Sequence, residues 1–294
     1  MPYRTDLAME SHELIKQAEH ADTIPGISAG EETECGFTVT TVEVNDTIGA
    51  KAISKPIGTY ITVTIDPLLQ RQENAFPTAC EVISKQLHKI LPNGLRSCLV
   101  AGIGNPHITP DAIGPLTVKH IMVTRHMVDS MPTVFGHFLP VSAVSPGVLG
   151  MTGVETGELL KGIVSRVRPD CVIVVDALAA RSMNRLCTTI QLSDTGIVPG
   201  SGIGNARCAI DHELLGIPVI AIGVPTVLDA VTLAHDLLPQ SDAAKHIPQQ
   251  AARMMVTPRE IDQLVADVSK LIGYSINFAL HDDLDMADME LFLS

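Results

Sequence analysis

The stretch that decides the fold is CVIVVDALAARS, residues 171–182. Its first five residues are apolar without alternation, the pattern of a strand covered on both faces, and such strands belong to parallel sheets flanked by helices. A second run of this kind, LRSCLVAGIG at 95–104, ends on a glycine turn. Around these two runs, strand and helix patterns alternate. Residues 156–167 put Leu159, Leu160, Ile163, Val164 and Val167 on one helical face. A helix is expected over about 110–128, and strands over 139–145, 187–192 and 218–222. Thr226 and Asp229 have capping-box-like spacing and predict a helix from Thr226. Thr257, Pro258 and Glu260 predict an N-cap, first position and closed capping box for a last helix, whose apolar stripe runs from Ile261 to Ala279. Upstream, residues 37–44 and 57–65 alternate and read as strands, and 75–91 has helical spacing. The expectation is an α/β fold: a mostly parallel central sheet flanked by helices, with an additional N-terminal β-containing region.

Composition narrows the function. The 294 residues carry 20 Lys plus Arg against 33 Asp plus Glu, a net charge of −13. That balance argues against nucleic acid as a direct partner, because phosphate binding needs an excess of cations. It suits a basic substrate drawn in by long-range attraction. Aromatic residues are 3% and Trp is absent, so the core must be aliphatic. The longest apolar stretches, near 171–180 and 214–231, are broken by Asp, Gly or Pro, so no membrane span or signal segment is expected. The cysteines are dispersed without a CxxC pair, which predicts reduced thiols in a cytoplasmic protein and neither a zinc cluster nor a disulfide framework.

Three stretches can carry chemistry. GIGNPHITPDAIGP (102–115) follows a buried strand, where open α/β sheets bind ligands. It is neither a dinucleotide fingerprint, since position 107 is His, nor a Walker loop. Thr109 and Pro110 read as a helix N-cap and first position, which makes Asp111 either a helix-dipole residue or a catalytic acid. Asp176 follows five apolar residues; a carboxylate there is costly unless Arg181 pairs with it or the chemistry uses it. If Asp111 and Asp176 meet across one crevice, they share a proton, and one activates water while the other polarises a carbonyl. SDTGIVPGSGIGN (193–205) contains a DTG triplet like that of pepsin-like proteases, but reads first as a flexible glycine turn. The amides of Gly200, Gly202 and Gly204 are candidates for an anion or peptide site. Ser201 lacks an identifiable base, and Cys171 and Cys187 lie in strand-like runs. His107, His126 and His137 are candidate metal ligands together with Asp111 or Asp176.

Taken together, the motifs RTDLAME (4–10), GIGNPHITPDAIGP, TRH (124–126), PGVLGMTGVET (147–157), VVDALAARS (174–182), SDTGIVPGSGIGN, LGIPVIAIGVPTVLDAV (215–231) and MVTPREID (255–262) resemble the germination proteases of spore-forming bacteria. The resemblance spans nearly the whole chain. It implies an atypical aspartic endopeptidase that degrades small acid-soluble spore proteins in the spore core, with Asp111 and Asp176 as its catalytic pair and no cofactor. It implies a sheet related to hydrogenase-maturation endopeptidases, where the corresponding positions bind nickel, so a metal-dependent peptidase is the competing reading within enzymes. A non-catalytic spore-protein-binding relative is the competing reading outside them. It also implies a homotetramer, made as a zymogen. Asp6-Leu7-Ala8-Met9-Glu10 resembles the spore-protein cleavage site, which predicts self-cleavage between Asp6 and Leu7 and makes 1–6 a short pro-segment of a single 1–294 peptidase domain. Two departures stand out: only three residues precede the RTD segment, and 239–250, expected as an exposed loop, replaces a longer segment of many relatives.

Overall fold

In the computed structural model, which describes residues 5–20, 23–202, 204, 207–237, 251, 254–281 and 284–293, nine strands join one sheet. In chain order they are β1 (Ile27–Glu34), β2 (Phe37–Val44), β3 (Gly58–Thr64), β4 (Cys98–Gly102), β5 (Val141–Val144), β6 (Cys171–Ala180), β7 (Thr189–Ser193), β8 (Val219–Asp229) and β9 (Met255–Val256). Their spatial order is β1-β2-β3-β7-β8-β6-β4-β5, with β9 pairing with β8 off that path. The α/β expectation holds, but the sheet is mixed where a mostly parallel one was expected. Only β5, β4, β6 and β8 run parallel. The β1-β2-β3 meander joins through antiparallel β7, so the N-terminal strands extend the central sheet.

The two faces of β6 explain why its sequence does not alternate. Cys171, Ile173 and Val175 pack with the helices Ala75–Ile90 and Ile261–Leu280. Val172 and Val174 pack on the other face with Leu160 and Val164 of the helix Thr156–Val167. Farther along that second face, Leu178 and Ala180 join a separate cluster with Leu7, Ala8, Met9 and Ile15, carried largely by the helix Ala8–Glu19. Side chains alternate along a strand, so Asp176 shares the face of Val174 and Leu178. It falls in the gap between the two clusters.

Several boundaries differ from expectation, each for a local reason. The helix expected over 110–128 is broken into a 3-10 turn, Thr109–Asp111, a short helix, Ile113–Val118, and another, Arg125–Ser130. Asn277 captures the backbone between the last two: its amide donates to the His120 carbonyl at 2.8 Å and its oxygen accepts from Met122 N–H at 2.9 Å. The helix expected from Thr226 starts at Ala230, because β8 continues through Thr226 to Asp229. Asp229 does cap it, accepting from Val231 and Thr232 N–H. The helix expected to be the last begins at Ile261 and is followed by another, Met286–Leu293; the Thr257 hydroxyl donates to the Thr226 carbonyl instead of capping. Strand β1 and the helices Ala8–Glu19 and Thr47–Ile53 have no strong sequence pattern and were not anticipated. Residues 239–250 lie outside the described residues. All six cysteines are free thiols, four of them buried. Among the described residues, no helix is long and apolar enough to cross a membrane.

Candidate active site

Gly102, the last residue of β4, pairs with Val175, and Ile103 N–H still reaches the Val175 carbonyl at 2.8 Å. Beyond that point β4 stops while β6 runs on to Ala180 against β8. The chain leaves β4 toward β5 on one side and leaves β6 toward β7 and β8 on the other. This is the topological switch point at which open α/β sheets form their crevice. Asp176 is the first residue of β6 without a β4 neighbour, so it stands beside the crevice although it is mid-strand, not at the strand's end as its sequence context suggests.

Asp111 arrives from the loop after β4. Gly104 has φ +122°, and a Cβ there would lie 2.0 Å from the Asp111 carbonyl oxygen. A Cβ on Gly114 would sit 2.2 Å from the Ile103 carbonyl oxygen and 2.4 Å from that of Val175. The glycines therefore let this loop fold back onto β4 and β6. Asn105 N–H donates to Asp111 Oδ2 at 2.8 Å, and the Thr226 hydroxyl donates to the Pro110 carbonyl at 2.6 Å. Asp111 closes a 3-10 turn and is not in the first turn of an α-helix, which removes the helix-dipole reading. Thr109 makes no side-chain cap.

Asp6, Asp111 and Asp176 line one cavity of about 450 Å³, whose other walls include Ile108, Leu149 and Thr226. Asp176 is 4% exposed. Burial pushes its carboxyl well above the usual carboxylate range; the charge of Asp111 raises it further, the Ala177 N–H donated to Oδ1 at 2.8 Å opposes this, and Asp6 adds to the rise. Burial also raises Asp111, against the Asn105 N–H. Burial thus favours the protonated form of both carboxyls. The charges of Asp111 and Asp6 both raise Asp176, and the Arg181 main-chain N–H donates to Glu10 at 2.7 Å.

The N-terminal segment enters the same cavity. Past Gly102 the β4 edge of β6 is open, and there Ala179 accepts from Asp6 N–H and donates its own N–H to Asp6 Oδ2, both at 2.9 Å. A register shift at Leu178 and Ala179 accompanies Pro225, which lies opposite Leu178 in β8 and has no N–H to give. The Asp6 carbonyl accepts from Lys55 Nζ at 2.8 Å and Gln191 Nε2 at 3.3 Å, while Gln191 Oε1 accepts from Ala8 N–H at 2.7 Å. Leu7 is fully buried, and Glu10 accepts from the Arg181 and Ser182 amides.

Other candidates lie elsewhere. Asp194 of the DTG triplet accepts from Thr59 N–H at 2.8 Å and tethers β3. His107, His126 and His137 are exposed and line no wall of the cavity. Among the described residues, no group of three His, Cys, Asp or Glu is arranged to hold a metal ion. Burial pushes the Cys171 and Cys187 thiols up to about 12, consistent with inert core residues. Lys55 and Gln191 were not anticipated. Gln191 carried a signal, a long polar side chain in the strand TIQLS, whereas Lys55 follows a short helix and carried none.

The germination protease family model matches residues 5–249 of this chain. The germination protease of Caldanaerobacter subterraneus subsp. tengcongensis is 43% identical over 99% of this chain and 98% of its own length. That of Clostridium perfringens (strain SM101) is 41% identical over 99% of each, and that of Bacillus pumilus 36% identical over 97% of this chain and 95% of its own. Among solved structures, the NiFe hydrogenase maturation protease HycI of Thermococcus kodakarensis KOD1 is similar at 16% identity and a TM-score of 0.37, covering 65% of this chain and 98% of its own. With its sequence matched to these relatives from end to end, the chain belongs to the germination protease family and is an aspartic-type endopeptidase.

Proposed function

We propose that this endopeptidase initiates degradation of small acid-soluble spore proteins at germination, and that Asp111 and Asp176 cut the peptide bond without a metal. The observation that carries this reading is the desolvated Asp176 carboxyl beside Asp111 in one cavity at the switch point. Asp111, as carboxylate, takes a proton from water, and the oxygen adds to the substrate carbonyl carbon. Protonated Asp176 donates to the carbonyl oxygen. The tetrahedral gem-diol collapses: the C–N bond breaks, the leaving amine takes its proton from Asp111, and one hydroxyl returns its proton to Asp176 as the carboxyl product forms, which restores both residues. The chain is its own first substrate at Asp6–Leu7, because the acid-apolar-Ala-x-Glu pattern of 6–10 reaches the cavity with Asp6. The enzyme works as a homotetramer in the spore core, which light scattering on the purified protein tests.

The test is cleavage of a purified small acid-soluble spore protein by wild type, Asp111→Asn and Asp176→Asn, each with and without EDTA. Mass spectrometry reads the products and the enzyme's own N-terminus. Wild-type cutting in EDTA with two dead variants supports the pair. Loss of wild-type activity in EDTA transfers the role to a bound ion, and an active Asp176→Asn ends the proposal.

A further inference from the structure

We infer that self-cleavage installs a new ion pair: the α-ammonium released at Leu7 binds the buried carboxylate of Glu10, which makes Glu10 a positioning residue for the end of β6. The inference rests on the proposed cut between Asp6 and Leu7.

Glu10 is 2% exposed, a buried acid that the peptidase chemistry does not use. Its Oε2 accepts from Arg181 N–H at 2.7 Å and its Oε1 from Ser182 N–H at 2.9 Å, so it ties the chain leaving β6 to the helix Ala8–Glu19. A third donor is the Thr5 hydroxyl, which also bonds Oε2. The same hydroxyl oxygen accepts from Leu7 N–H at 3.0 Å. One side-chain atom therefore stands between the Leu7 nitrogen and the Glu10 carboxylate, and it belongs to the segment that the cut removes.

Hydrolysis puts the hydroxyl of water on the Asp6 carbonyl carbon and a hydrogen on the Leu7 nitrogen. At neutral pH the new acid gives up its proton and the amine gains one. Residues 1–6 then depart with Thr5. The Leu7 nitrogen is held in place, because Leu7, Ala8 and Met9 pack in the core and Ala8 N–H bonds Gln191 Oε1 at 2.7 Å. Glu10 is held by its two amides. Leu7 is the N-cap of its helix and Glu10 the third helical residue, the spacing at which an acid reaches back to the cap nitrogen in a capping box. A cation at a helix N-terminus opposes the helix dipole, and Glu10 cancels that repulsion. The other charges bearing on Glu10 or its neighbour Glu13 are Lys55, Arg181, Arg185 and Glu31. The cut thus exchanges a neutral bridge for an ion pair, and through the Arg181 and Ser182 amides it steadies the strand whose Asp176–Ala179 stretch walls the catalytic cavity.

The test is made on the self-cut enzyme, after mass spectrometry confirms Leu7 as its N-terminus. Trace labelling with isotopic acetic anhydride across pH, read on the N-terminal peptide, reports when the amine loses its proton. An ordinary α-amine does so at about 7.7–8.0. The Leu7 ammonium is expected to be a weaker acid by about tenfold or more, and Glu10→Gln, cut in trans by wild type, should lose that difference, with Glu10→Asp keeping part of it. Amide exchange at Arg181 and Ser182 should slow by about tenfold when wild type is cut, and not when Glu10→Gln is cut. Amide spectra of the uncut variants check folding. A Leu7 amine that titrates in cut wild type as an ordinary α-amine overturns the inference whether or not the variants are cut; so does an unchanged titration in Glu10→Gln. An N-terminus other than Leu7 instead ends the reading of the cut itself, and this inference with it.

Discussion

Gly104→Ala tests whether the loop after β4 sets the position of Asp111. The substitution keeps every polar group and adds one methyl. That methyl would lie 2.0 Å from the Asp111 carbonyl oxygen and 3.3 Å from Oδ1. Ordinary contact begins at 3.4 Å, so the loop and Asp111 must separate by about 1.4 Å (3.4 less 2.0). The φ of +122° adds strain that an L-residue cannot relieve in place. Overpacking costs about 1–3 kcal/mol and the backbone strain about as much again, for a total of about 2–6 kcal/mol. A domain stable by about 5–15 kcal/mol still folds, with its melting temperature lowered by roughly 4–12 °C at about 2 °C per kcal/mol. The larger effect is on rate: a 1 Å misplacement costs about 100-fold, so kcat on a spore-protein substrate should fall by about that factor with KM little changed. Melting is read by calorimetry and kcat by product mass spectrometry. Gly162→Ala is the control, because Gly162 is exposed within the helix Thr156–Val167 with nothing within 4 Å of an added Cβ; it should stabilise by about 0.5–1 kcal/mol and leave kcat alone. A Gly104→Ala enzyme that melts early but keeps kcat within threefold refutes the reasoning, since the loop would then move without Asp111.

Three further outcomes follow from the site. Asp176→Asn should abolish cleavage yet stabilise the fold at neutral pH by about 1–3 kcal/mol, by removing a poorly solvated buried acid; a lower melting point at neutral pH would contradict the burial argument. The sign of the pH effect is set by the raised carboxyl: between its ordinary value of 3.8 and its elevated folded value, the native state holds a proton that the unfolded chain has lost, so wild-type stability falls as pH rises through that window. Melting curves of wild type and Asp176→Asn against pH should therefore diverge, and parallel curves would rule the shift out. Cleavage should rise as Asp111 ionises and decline as Asp176 does, with both limbs above the usual carboxylate range as apparent values of the pair; a profile flat across mildly acidic and neutral pH would exclude a one-proton pair. Leu7→Ala should cost about 2–5 kcal/mol, because Leu7 is fully buried against Ile15 and Leu178, and urea unfolding measures it.

The legible parts of the sequence were those where one physical demand acts alone. The run 171–175 is apolar because both faces of β6 are covered, and the helix Thr156–Val167 shows its stripe because one face packs on β4 and β6. Asp111 and Asp176 stood out as carboxylates set against apolar strands. The sequence pattern failed where distant residues overrule local preference. Asn277 interrupts the chain after Val118 from 155 residues away, and Thr226 reads as a helix cap but spends its hydroxyl on Pro110. Helix Ala8–Glu19 mixes charged residues into its length, and only Leu7, Ala8, Met9 and Ile15 reach the core, so its periodicity is weak. Lys55 and Gln191 meet Asp6 only after three separate parts of the chain have assembled.

The margin of β6 beyond Gly102, which has no neighbouring strand on the β4 side among the described residues, has a consequence for which proteins this enzyme can cut. A peptide that lies along that margin meets it through its main chain, as Asp6 does in donating its N–H to the Ala179 carbonyl, and an extended backbone has such groups to offer. A helix spends those same groups internally and a packed loop holds them out of reach. A folded substrate that binds along this margin would first have to open and straighten around the bond to be cut, a property of its own local stability. A spore protein wrapped on a partner would be spared, and the same chain set free would be consumed.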